Sequence, residues 1–452
     1  VSETSEWPKC ERRTAGITAL GLAGTNAHLV LSSPEAIVET DLLATDLVEP
    51  NDRLLVVSAR CKNALHELSE RYLDYLETHP DTDLDDFCFT IGAGRRHFEH
   101  RMAIPFNSLA DVKERLEQAL GSYDPSVLRS QNGNGSAQNR TTGVESTQNA
   151  GSPQLAWIFG DGFADIRTTL RELIATHPVI AKFVSECDQR LREHSTISGP
   201  TASEQTLSLA ELITTQDTKH RHNDSLQYLL QAGLARLWQS WGIQPDAVVG
   251  YGVGQYAAAS VAGCLCFLDA MVLVHERQTL LAGSLGDAEQ DAFEKLADQF
   301  NYYPPNLPLV CSLSGEVIPV HRSLGGSYWR QQATSEMQLE QSSQALIDLN
   351  CQIGLILGPM DESKLLFASG DNEGPFLIRA CSRPKESIDD SLLAILGQLY
   401  QQGCNPDFSA VFGNRRRLSL PTYPFQKKRY WITEISRFMA AEETPETKPI
   451  HS

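Results

Sequence analysis

Residues 245–263 read PDAVVGYGVGQYAAASVAG: an apolar strand, a Gly-rich tight turn and a helix of small residues. A strand that passes so directly into a helix belongs to an α/β fold. The shape is that of the G-x-S-x-G nucleophile elbow, in which a tight turn lifts a serine Oγ onto a helix N-terminus. Gly252 stands in the nucleophile's place. The turn is present and the reactive atom is missing.

At 452 residues the chain is long enough for two or three domains, and its 41% hydrophobic and 8% aromatic fractions provide for real cores. A formal net charge of −19 argues against nucleic-acid binding, which needs clustered positive charge. The basic runs at 95–101 (RRHFEHR) and 415–417 (RRR) read as local solvated surface. Ten cysteines are scattered, and Cys264 and Cys266 form a C-x-C with no second pair at metal-ligand spacing. Reduced, mostly buried thiols are expected, with no metal and no cofactor. No signal peptide and no apolar run near membrane-spanning length is visible, so the expectation is a cytoplasmic protein that engages neither membrane nor nucleic acid.

Residues 1–33 include a Gly-rich turn leading into the strand AHLVL, too little to bury a core alone. An acidic linker follows at 34–52, and a compact α/β pattern then fills the rest of 34–128. Its strand RLLVVSA (53–59) precedes a helix with apolar positions at Leu65, Leu68, Tyr72, Tyr75 and Leu76. A short helix near 84–93, the strand HRMAIPF (100–106) and a helix capped by Ser108 come next. Residues 129–154 hold almost nothing to bury and read as a disordered tether. Over 155–413, strands at 155–159, 247–251, 307–313 and 354–358 alternate with helices, which predicts a mainly parallel sheet with surface loops near 195–204 and 214–225. Residues 414–452 form a final wrapping segment and tail.

These motifs together resemble part of a modular polyketide synthase. GLAGTNAHLVL (21–31) is similar to the end of a ketosynthase, and RLLVVSAR with TIGAGRRHFEHRMAI resembles the linker domain between ketosynthase and acyltransferase. LRELIATHPVIAKFVSECDQRL (170–191) and residues 234–277 resemble the acyltransferase core, and RRRLSLPTYPFQKKRYW (415–431) the segment that wraps back toward linker and ketosynthase. The resemblance implies a small α/β linker domain followed by an α/β-hydrolase-like acyltransferase core.

Such an acyltransferase needs a nucleophile, a base, an oxyanion hole and a cation for the malonyl carboxylate. Where the family elbow reads GHSxGE, this chain has Gly250-Tyr251-Gly252-Val253-Gly254-Gln255, so Tyr251, Gly252 and Gln255 replace His, Ser and Glu. Asp161 replaces the Gln of an N-terminal GQG, and Asn223 corresponds to the Gln of a QPAL stretch. The family's ferredoxin-like small subdomain, which carries the catalytic His, needs roughly 42 residues before any loop. Only residues 282–306 fill that interval, and no histidine occurs between His275 and His321. Arg277 lies 25 residues after Gly252, where the family places its carboxylate-binding arginine. It reads either as retained binding or as a helix arginine in an ion pair. Ser260, Cys264 and Cys266 read as packing residues rather than substitute nucleophiles, and His28 as structural.

What the resemblance then implies is a non-catalytic structural and docking region. It would flank an upstream ketosynthase and help recruit a trans-acting acyltransferase or an acyl carrier protein, contacts for which Arg95, Arg96, Arg101 or 415–417 are available. The alternatives are an acyltransferase with an unorthodox nucleophile and a pseudo-acyltransferase that binds acyl groups without turnover.

Overall fold

The computed structural model describes residues 13–21, 24, 26–32, 53–121, 145–146, 153–161, 166–198, 208–214, 223–281, 286–358, 360, 376–379, 388–413 and 415–426. Two units separate, one within Val1–Glu49 and one within Pro50–Ser452. The first is an antiparallel hairpin of β1 (Thr14–Leu20) and β2 (Asn26–Ser32), in register from Thr14 opposite Ser32 to Leu20 opposite Asn26. A two-stranded ribbon cannot bury its own side chains, and Ile17, Leu20, Leu29, Val30 and Leu31 are exposed. The expected strand AHLVL is β2; its partner over TAGITAL, built from small residues, gave no strong alternation.

The second unit begins with β3 (Arg53–Ala59), α1 (Lys62–Thr78), α2 (Leu84–Gly92), β4 (His100–Phe106), α3 (Leu109–Gly121) and β5 (Glu145–Ser146). It continues with β6 (Leu155–Phe159), α4 (Ile166–Thr176), α5 (Pro178–Ser198), α6 (Leu209–Thr214), α7 (Asn223–Ser240), β7 (Ala247–Gly250), α8 (Gly254–Val261) and α9 (Phe267–Leu281). Last come α10 (Asp287–Ala297), β8 (Leu309–Val310), α11 (Gly326–Thr334), α12 (Leu339–Asp348), β9 (Ile353–Leu357), β10 (Phe376–Arg379), α13 (Ile388–Gln401) and α14 (Phe408–Phe412).

The run LLVV in β3 is apolar without alternation because both faces of the strand are covered. Leu55, Val57 and Ala59 point into a small core with Leu65, Tyr72, Phe87 and Leu116. Leu54 and Val56 point the other way, into the large core with α13. One strand therefore belongs to two cores, which fixes the small sheet of β3, β4 and β5 to the rest of the unit. Arg101 on β4 reinforces the join. It is 7% exposed, and its guanidinium donates to the carbonyls of Tyr400 and Cys404 and to Asn405 Oδ1. Ser108 caps α3 as expected, accepting from Asp111 N at 3.2 Å.

The large core surrounds a five-stranded sheet of order β10-β9-β6-β7-β8, parallel throughout. This is the mixed α/β architecture expected, with β6 central and wholly buried.

Several boundaries differ from the sequence reading. Within the expected tether, Glu145 and Ser146 pair with Arg101 and His100 of β4, and Gln154 O accepts from Gln352 N and Ile353 N; residues 129–144 and 147–152 lie outside the described set. Helix α5 runs to Ser198 and α7 starts at Asn223, so helix covers parts of both expected loops. At α7 the polar first turn is helical because Ser225 N finds Gln278 and Asp224 finds Arg277. Of the expected strand 307–313 only Leu309–Val310 pair in the sheet, since Cys311 N turns to Glu316 O and Ile318 N returns to Leu309 O. Edge strand β10 was not anticipated. The described part of the expected wrapping segment lies against the small core: Leu418 N donates to Thr90 Oγ1, Arg95 to Leu420 O, and Leu420 is buried there.

Candidate functional site

The site forms where β6 and β7 end side by side, Phe159 opposite Gly250. Tyr251 N donates to Phe159 O at 2.9 Å, after which the chain reverses and enters α8. Gly252 has φ +52°, the left-handed conformation that a nucleophile elbow imposes and glycine adopts without steric cost. Gly254 packs so closely on Phe159 that a Cβ would overlap the Phe159 carbonyl. The elbow is thus formed in full, and its central residue offers no side-chain atom to acylate.

The space above Gly252 is occupied. A Cβ there would meet Asp161 Oδ1 at 3.0 Å, with Oδ2 and Cγ closer still. Asp161 follows Gly160 at the end of β6, and Gln227 Nε2 on α7 reaches its Oδ1 at 3.4 Å. Gln227 also donates to Gly160 O at 2.9 Å, and Gln231, one turn on, donates to the same carbonyl. Asp161 is exposed taken as a whole residue, yet its carboxyl faces the elbow among protein atoms. Burial there pushes its pKa up, while the Gln227 amide and Arg277 hold it down and Asp224 adds repulsion.

Gly252 is held from two further sides, its N–H by Met337 Sδ at 2.9 Å and its carbonyl by Gln332 Nε2. Gln255 is wholly buried; its Oε1 accepts from Gly250 N at 3.1 Å, and its Nε2 donates to Tyr328 Oη at 2.8 Å and Val310 O at 3.4 Å. A neutral amide satisfies all three groups where a carboxylate would lack the two donors. Tyr251 is 1% exposed and turns into the core with Ile158, Val310 and Leu346. Burial pushes its hydroxyl up to about 12, with Ser342 and Ser343 pulling the other way.

Arg277 on α9 reaches the site but is already partnered. Its Nη1 pairs with Asp224, and the two side chains are only 18% and 31% exposed. Its Nε and the Tyr256 hydroxyl are buried without a hydrogen-bond partner among the described residues. Tyr256 stacks on Trp329 with centroids 4.0 Å apart, and burial raises its pKa, Arg277 opposing. The ion pair of the second reading is thus present.

Asn223 opens α7, and the amides that reach Gly160 and Asp161 are Gln227 and Gln231. The available signal was two glutamines four apart in the apolar run LQYLLQAGL, a spacing that places them on one helix face. Between α9 and β8 the described residues hold one helix, α10. It is anchored by Phe293 and Ala297, both fully buried, and by Asp298 Oδ1, which accepts from Gly326 N at 2.7 Å at the start of α11.

The remaining candidates fall elsewhere. Ser260 is buried and donates to Tyr256 O at 2.9 Å. Cys264 is buried and its thiol is pushed up to about 11 by burial, whereas Cys266, directly before the first residue of α9, is exposed, contrary to a packing role. His28 shares a hydrogen bond with Thr18 across the hairpin at 2.8 Å. Arg101, expected in a surface patch, is buried for the reason given above, and Arg95 is turned to the Leu420 carbonyl. Among the described residues no cluster of metal-ligating side chains occurs, and no helix is long and apolar enough to cross a membrane.

Residues 53–116 match the family described as CurL-like, PKS C-terminal, and residues 170–313 match the acyl transferase domain family. Polyketide synthase GfsA of Streptomyces halstedii is 26% identical, the match covering 96% of this chain and 7% of that protein. The alignment runs over 533 residues, longer than this 452-residue chain, so the relative carries segments this chain lacks. The phenolphthiocerol synthesis polyketide synthase type I Pks15/1 of Mycobacterium marinum is also 26% identical, over 95% of this chain and 23% of its own length. The chain thus spans a small part of these relatives. Among solved structures, the acyl transferase domain of ZmaA superposes with a TM-score of 0.67 at 19% identity, over 83% of this chain and 100% of that one. The acyl transferase domain of SpnD, in complex with 2-(pent-4-yn-1-yl)malonyl, gives 0.63 at 18% identity, over 80% and 98%. The fold is that of an acyltransferase domain, and the sequence relatives are polyketide synthases.

Proposed function

We propose that this chain is a non-catalytic part of a polyketide synthase module that flanks the ketosynthase and helps recruit a trans-acting acyltransferase or an acyl carrier protein. The observation that carries the reading is the Asp161 carboxylate lodged over Gly252, in the space a nucleophile's Cβ would need. An acyl-enzyme requires an atom that residue 252 lacks, and a carboxylate beside the turn would repel the developing oxyanion. Arg277 supports the same view, since a malonyl carboxylate would have to displace Asp224. The sharing of β3 between two cores supports a rigid flank, and so does the strap at 415–426.

Incubation of the chain with radiolabelled malonyl-CoA tests the loss of catalysis. No covalent label is expected, and stable labelling would overturn the reading in favour of an unorthodox nucleophile. Saturable non-covalent binding abolished by Arg277→Ala would instead favour a pseudo-acyltransferase. Docking is tested by pull-down with a discrete acyltransferase and a carrier protein of the same pathway. Retention of either is expected, and retention of neither would leave only the structural role.

A further inference from the structure

Outside the elbow, the linker side of the second unit contains a pocket of about 330 Å³ between β3, α1, the loop after α2 and the strap. That volume lies at the low end of small-ligand sites, about 300–1,000 Å³. Its lining includes Val57, Leu68, Tyr72 and Ile91, each at most 6% exposed, so the interior is apolar.

Cations and aromatic rings also line it. Arg60 and Arg96 both lie against the Phe98 ring, with Cζ 5.3 and 5.9 Å from its centroid. The two charges are therefore held no more than about 11 Å apart by one ring. Both residues are exposed, and neither guanidinium pairs with a carboxylate among the described residues. The chain as a whole carries a net charge of −19, while this segment, RRHFEHR, is locally basic. Glu67 on α1 is engaged by Arg71 and by Gln426 of the strap. Arg95 is a third cation of the lining. Phe425, 79% exposed, sits beside Tyr423, whose hydroxyl accepts from Arg60 N at 3.1 Å.

We infer that this pocket binds an organic phosphate with an aliphatic tail, the tail entering the apolar interior and the phosphate bridging Arg60 and Arg96. Two guanidinium forks carry more donors than one carboxylate can accept, whereas a phosphate monoester offers three oxygens and nearly two charges. The apolar lining disfavours a bare inorganic ion as the preferred ligand, and the two arginines, without a carboxylate partner among the described residues, disfavour a neutral one. The site is independent of the elbow and of the reading drawn from it.

Calorimetric titration of the 452-residue chain with octyl phosphate, below its micellar concentration, tests the inference. Saturable one-to-one binding is expected, at least about tenfold tighter than for inorganic phosphate or 1-octanol and weakened at about 0.5 M NaCl. Arg60→Gln/Arg96→Gln should lose about tenfold in affinity with an unchanged melting temperature. Should the double variant not fold, Arg96→Gln alone, at an exposed position, should still lose about threefold. Phosphopantetheine and a short-chain phosphatidate, offered as competitors, distinguish a carrier's prosthetic arm from a lipid headgroup as the source. No binding of octyl phosphate, equal binding of octanol, affinity unchanged by the arginine variants, or displacement by neither competitor would overturn the assignment.

Discussion

Replacing Gly252 by alanine places one methyl group where the structure puts a carboxylate, and its cost can be worked out in two parts. The first is conformational: at φ +52° a residue with a Cβ loses about 1–2 kcal/mol relative to glycine. The second is steric, because the new atom would lie 3.0 Å from Asp161 Oδ1 and nearer to Oδ2 and Cγ; this exposed side chain must swing aside and give up its Gln227 contact, worth about 0.5–1.5 kcal/mol. Gly252→Ala should therefore destabilise the fold by about 1.5–3.5 kcal/mol. Urea titration followed by tryptophan emission reads this, since Trp157, Trp238 and Trp329 are fully buried in the affected core. Asp161→Gly in the same background should recover the steric part and leave only about 1–2 kcal/mol. Gly252→Ser should behave like the alanine variant and take no label from malonyl-CoA, with or without Asp161→Gln. A cost below about 0.5 kcal/mol for Gly252→Ala would refute the lodged carboxylate. A cost that persists unchanged after Asp161→Gly would refute Asp161 as its cause.

Three further outcomes follow from the same geometry. Gln255→Glu leaves Val310 O without its donor and buries a carboxyl group, costing about 1–3 kcal/mol. Burial would raise the carboxyl's folded pKa above its unfolded value, so this variant should grow less stable as pH rises from 5 to 8, which parallel urea titrations check. Arg277→Met should cost about 1–3 kcal/mol by stranding Asp224, and Asp224→Leu in the same background should restore most of it. His97 contacts Tyr400 Oη through Nδ1 at 2.7 Å and Gly92 O through Nε2 at 2.8 Å, and burial lowers its pKa. A depressed histidine holds fewer protons folded than unfolded, so wild type should lose stability as pH falls below about 6.5, and His97→Gln should flatten that slope.

Features set by local chemistry or by burial on both faces were legible in the sequence. The strands at 53–59 and 100–106 fall on the expected residues because LLVV and the alternation of HRMAIPF leave no competing period. The Ser108 cap needs only its own neighbours. The glycine at 252 was equally plain. What fills the space above it was not, because Asp161, Gln227 and Asp224 acquire meaning only when topology brings α7 beside the end of β6. Arg101 misled for the converse reason. In a run of charged residues it resembles surface, and only the carbonyl ends of α13 show why it is buried.

The departures at the elbow depend on one another. A Cβ at 252 would meet the Asp161 carboxylate as it is placed, so the glycine and the position of this side chain go together. Asp161 shares the field of Arg277 with Asp224, two acids beside one guanidinium. The same coupling means that single reversions meet resistance: a serine at 252 meets Asp161, and freeing Arg277 for a ligand strands Asp224. Gln255, Gln332 and Met337 hold the elbow's shape with no side chain at residue 252. On the proposed reading, the shape is what the surrounding synthase uses.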